Sequence, residues 1–170
     1  MNRKQKGFSL IELLIVVAII LIIAAIAIPN LLRARMAANE ASAVGSVRTL
    51  NTSAVTYAST WGVQFPVSVA VMAGAPGGLA ACGAALLIDP LLAGAVSAAT
   101  AKSGYFFTYV GATATPANAA GCTGFQTYTV VGVPANIGQT GQRGFFSDQS
   151  GVIRYTTDGT APTLASPPLQ

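Results

Sequence analysis

Residues 7–29 read GFSLIELLIVVAIILIIAAIAIP, a run whose only charge is Glu12. Phe8 to Ile28 is 21 residues long. Coiled as a helix it spans roughly 30 Å, the thickness of a bilayer's hydrocarbon core. The leader, residues 1–7, holds Arg3, Lys4 and Lys6; cations before a span keep that side in the cytoplasm. A cleaved secretory signal is the competing reading, and Ala25 and Ala27 supply its small-x-small pattern. Against it stand the length of the run and the acid, which has no role in a signal peptide.

That acid is costly. A carboxylate within a spanning helix is unfavourable by roughly 2.5–3.5 kcal/mol on insertion scales. Its physical answer is a cation that also lies in the membrane. A cut just before Phe8 would create one, the new α-amine, offered by the same chain or by a neighbour shifted along its axis.

The helical reading continues past Pro29, although proline removes one backbone hydrogen bond and disfavours a helix interior by about 3 kcal/mol. Ala43, Val47, Leu50, Ala54, Tyr57 and Trp61 recur at spacings of four and three, one apolar stripe suited to packing on a sheet. Arg33, Arg35, Asn39, Glu40, Arg48 and Asn51 fall mostly off it. A single helix kinked near Pro29 and stopped at Gly62 is therefore expected.

Residues 62–104 read as a connecting region rich in Gly and Ala, with a short strand at Val67–Val71 and short helices at Ala84–Leu87 and Leu91–Thr100. Asp89 before Pro90 reads as a turn or cap. From residue 105 the pattern turns aromatic and β-branched. Strands are expected at Tyr105–Val110, Phe125–Pro134, Gly144–Ser147 and Val152–Thr156, the last two joined by a turn over residues 148–151. The proline-bearing tail is expected at the surface. The fold class is thus α+β: a long N-terminal transmembrane helix continuing into a globular head with an antiparallel sheet of about four strands. In segments, this is a leader (1–7), a membrane helix (8–28), an amphipathic helix (29–61), the connecting region (62–104), and the sheet with its tail (105–170).

Composition narrows function. Apolar residues make up 52% and charged residues 8% of the chain, against roughly 25% charged in ordinary soluble domains. The formal charge of +4 is concentrated in the leader, and the remainder is nearly neutral. A nucleic-acid partner finds little support in Lys102, Arg143 and Arg154. There is no histidine, so the usual triad is out of reach, and no phosphate-binding loop occurs. Asp148 and Asp158 are the candidates for a calcium site, but calcium takes six to eight oxygens; the reading is no metal, no cofactor and no catalytic residue. Cys82 and Cys122, the only cysteines, fall in the part that would be exported. A disulfide is favoured there over two free thiols.

The stretch KGFSLIELLIVVAIILIIAAIAIPNLLRAR resembles the N-terminus of type IV pilins and of type II secretion pseudopilins. The resemblance covers about 30 residues closely and implies the pilin fold for the rest. It implies that a membrane peptidase cuts after Gly7 and methylates Phe8. Glu12 would pair with the N-terminal amine of an adjacent subunit, and Pro29 would kink the helix. It further implies an inner-membrane precursor and a cell-surface filament, a homopolymer of subunits assembled by a platform protein and a cytoplasmic ATPase. A pilus subunit is the favoured expectation. The alternatives are a secretion pseudopilin, or a minor pilin that binds DNA or surfaces.

Overall fold

A computed structural model describes residues 8–75 and 77–169. The chain divides into two compact units, Met1–Arg35 and Met36–Gln170. The division falls inside helix α1, Leu10–Trp61.

In the second unit, α1 supplies one wall of the core. Ala43, Val47, Leu50, Ala54 and Tyr57 are all at most 1% exposed, so five of the six stripe residues face inward. Trp61 is half-buried, its ring 5.1 Å from that of Tyr57. Gly62, at φ +61°, ends the helix in the left-handed conformation that glycine adopts without strain.

The other wall is a sheet of β1 (Tyr105–Thr115), β2 (Gly124–Pro134), β3 (Gly144–Asp148) and β4 (Arg154–Thr156). The strands lie in chain order and every neighbour is antiparallel. Register places Phe107 opposite Gly132, Val130 opposite Ser147 and Phe145 opposite Tyr155. Tyr128 and Val130 of β2 point inward beside Tyr105, Phe107 and Phe145. Gly132 continues that inward face because a Cβ there would stand 2.9 Å from the Phe107 ring. A sheet of about four strands was expected, and four strands form it among the described residues. β1 runs five residues further than its aromatic stretch, because Gly111, Ala112, Ala114 and Thr115 pair with Tyr128, Thr127, Phe125 and Gly124. β4 starts two residues late, at Arg154, because Val152 is still occupied with the turn: its carbonyl accepts from the Ser147 hydroxyl.

The connecting region departs most from expectation. Val67–Val71 is not a strand. Val69–Met72 coils as one helical turn, α2, which buries Val69 and Met72, three residues apart, in the core. Ala84–Leu87 is not a helix. Leu86 takes φ +56°, and the amides of Ala85, Leu86 and Leu87 donate to the carbonyls of Val71, Ala73 and Met72. Leu91–Thr100 is divided into α3 (Pro90–Gly94) and a 3-10 turn, Ala98–Thr100. The break between them lets the Ala95 carbonyl accept from the Phe107 amide of β1. Asp89 caps α3, its side chain accepting from the Leu92 amide at 2.8 Å.

Cys82 and Cys122 form a disulfide, with Cα atoms 5.8 Å apart. It ties the connecting region to the β1–β2 loop. Beside it, the Tyr57 hydroxyl donates to the Cys82 carbonyl at 2.8 Å, and the Asn118 amide donates to the Trp61 carbonyl at 2.7 Å. Helix end, loop and connecting region are thus fastened at one point. The tail is mostly exposed, yet it also lines β4: the Tyr155 amide donates to the Pro167 carbonyl, and the Leu169 amide to that of Ile153.

Candidate assembly segment at the N-terminus

From Phe8 to Arg35 every residue is exposed except Ala24, which is half-exposed. Phe8 is 83% exposed, Leu10 75% and Ile26 66%. The helix includes an 18-residue stretch of mean hydropathy 3.3 with none of it buried, long and apolar enough to cross a membrane. A helix apolar on all sides needs cover all round, from lipid or from other helices. Pro29 lies within the helix.

Glu12 is the one acid of the first turn, at the end of the helix where the backbone dipole favours negative charge. Its Oε2 accepts from the Ser9 amide at 3.0 Å, and the Ser9 carbonyl accepts from the Leu13 amide at 3.2 Å. Ser9-Leu10-Ile11-Glu12 is the S-x-x-E pattern in which a glutamate reaches back to the amide of the residue that precedes the helix. That signal stands in the sequence, at residues 9–12. It gives Glu12 a local partner and offsets part of its cost in an apolar setting. Gly7, with the rest of the leader, lies outside the described residues, so the cleavage expected there has no structural counterpart.

In the head, two polar sites were missed. Glu40, expected off the packed face, is 7% exposed. It accepts from the Gln142 amide at 2.9 Å, the Arg143 amide at 3.1 Å and Arg143 Nε at 2.7 Å. Burial pushes its carboxyl up, but the two amides and the guanidinium outweigh that and hold it below its ordinary value. Asn51 is likewise buried, donating to the Ser147 hydroxyl at 2.7 Å and accepting from the Tyr128 hydroxyl at 3.2 Å. Its side chain is committed to the core, so the triplet Asn51-Thr52-Ser53 offers no accessible glycosylation point. The partners of both residues are roughly a hundred positions away, and spacing along the helix carries no trace of them.

The candidate calcium acids are engaged locally. Asp148 accepts from the Ser150 amide and hydroxyl, and Asp158 from the Thr160 amide and hydroxyl. Among the described residues no group of three or more metal-ligating side chains assembles.

Residues 2–28 match the family described as "Prokaryotic N-terminal methylation motif". The chain is 68% identical over 38 residues to the "Type IV wide pilus major component PilA4" of Thermus thermophilus, which is 22% of this chain and 29% of that protein. It is 46% identical over 52 residues to the "Type IV major pilin protein PilA" of Myxococcus xanthus, 31% of this chain and 24% of that one. The chain therefore spans less than a third of the length of either relative. No solved structure matches. The motif match thus falls on the segment whose chemistry is unusual, and over that segment and the start of the head helix the chain is similar to two type IV pilins.

Proposed function

We propose that the protein is the structural subunit of a type IV pilus. It is made as a membrane-held precursor, cut after Gly7, methylated at Phe8 and polymerised through its N-terminal helix. The observation that carries this reading is a helix exposed and apolar on every side with one acid in its first turn. Lipid covers such a surface in the precursor, and neighbouring helices cover it in a filament. The description of both relatives as major pilus components supports the major-subunit reading over a secretion pseudopilin or a tip adhesin. In the filament Glu12 exchanges its Ser9 contact for the Phe8 amine of an adjacent subunit, a cation at neutral pH with a reference pKa of about 7.7–8.0. A prepilin peptidase, a platform protein and an ATPase are the partners this route requires.

The test joins intact mass to microscopy. Material sheared from cells should contain filaments labelled by an antibody to the head. Their subunit mass should equal residues 8–170 with one added methyl group. Met1 still attached in assembled material would overturn the reading.

A further inference from the structure

The head is so poor in charge that its unpaired charges can be followed one by one. Among the described residues, Glu40 pairs with Arg143 at 2.7 Å and Asp89 lies 3.8 Å from Lys102. Asp148 is buried against Ser150. Asp158 is exposed, at the tip of the turn after β4, and among the described residues no cation lies within ion-pair distance of it. Its carboxyl is held below its ordinary value by the Thr160 hydroxyl and amide, so it is ionised at neutral pH.

Two cations of the head make no ion pair among the described residues, Arg154 and Arg48; Arg154 is half-buried and donates to the Ser166 carbonyl at 2.9 Å, which leaves Arg48 as the exposed counterpart. Arg48, exposed on α1, has no acid within ion-pair distance among the described residues and borders a groove of about 490 Å³ between the helix and the turn after β3. No carboxylate lines that groove among the described residues. The hydroxyls of Thr52 and Thr56 on its wall are spent on carbonyls one turn back, and that of Ser150 on Asp148. Arg48 lines it with a fork of N–H donors that meets no acceptor among the described residues. A guanidinium so placed suits a carboxylate.

We propose that in the filament Asp158 of one subunit docks in the Arg48 groove of another. The occupant is a second copy because a polymer of one chain draws its inter-subunit ion pairs from charges the fold leaves unpaired, and in the head these two are of opposite sign and both exposed. Complementary charges of this kind set register between packed surfaces more than they add affinity. The contact rests on the filament reading.

Both side chains are exposed, so charge reversal leaves the head folded, which protease resistance of the processed chain checks. Arg48→Asp and Asp158→Arg each set like charges against one another and should lower the yield of sheared filaments at least about tenfold. The double reversal should restore most of it. In Arg48→Lys filaments, a carbodiimide should link the new amine to Asp158 across subunits, seen as a cross-linked peptide pair by mass spectrometry. Normal filaments from both single reversals, or a double variant no better than either, would overturn the contact alone. Absence of filaments from the unaltered chain would overturn the filament reading and the contact with it.

Discussion

Glu40 shows how a single buried acid is made tolerable. Two backbone amides and one guanidinium replace its water. Removing it strands two amides and frees the loop before β3, which Asn39 also holds through the Thr140 carbonyl at 2.8 Å. Glu40→Leu should cost about 3 kcal/mol, the range for breaking a buried pair, read as a shift in the urea midpoint of detergent-solubilised protein. Its folded carboxyl lies below the ordinary value of 4.5, so its stabilisation is present above that value and is lost as pH falls through the folded one. The melting temperature of the wild type should therefore fall more steeply below pH 4.5 than that of Glu40→Gln. Parallel curves would show that the pair carries no pH dependence. Tyr109 is the opposite case. Its ring stacks on Tyr128 with centroids 5.2 Å apart, but its hydroxyl is buried with no partner among the described residues, and burial raises its pKa. Tyr109→Phe keeps the stack and removes the stranded group. It should raise stability by about 1 kcal/mol, and a lower urea midpoint would refute the account.

Among the elements, the β1–β2 hairpin depends most on a remote tie. Its loop is fixed by the disulfide, which closes a separation of 40 residues, and by the Asn118 bond to the end of α1. In the chain-entropy treatment such a loop is worth about 4 kcal/mol. Replacing both cysteines by serine should lower stability by about that amount and speed amide exchange first in residues 116–123. Unchanged exchange there would mean that Asn118 holds the loop alone. The short elements before β1 are set by what they must reach: α2 contributes Val69 and Met72 to the core and α3 contributes Leu92.

For the whole molecule the decisive residue is Glu12, because the filament reading requires it to change partners. Glu12→Leu should insert and be processed as well as the wild type, yet yield at least about tenfold fewer sheared filaments, the loss expected when a buried pair loses one member. Normal filament yield would reduce Glu12 to its capping contact with Ser9. Much of this architecture was legible in the chain. An apolar run of membrane length, a stripe at helical spacing and aromatic β-branched segments are local patterns, and backbone periodicity turns them into a helix and four strands whatever surrounds them. The amino-acid sequence by itself determined the apolar segment, the acid in its first turn, the stripe that packs on the sheet and the approximate places of the strands. Only the tertiary structure decided that Val69–Met72 coils, that Glu40 and Asn51 are buried, and that the tail lines β4. Each of those outcomes is set by a partner distant in sequence, such as Arg143 for Glu40 and Ser147 for Asn51, and a hydrogen bond or buried contact with such a partner overrides what a residue's own neighbours favour.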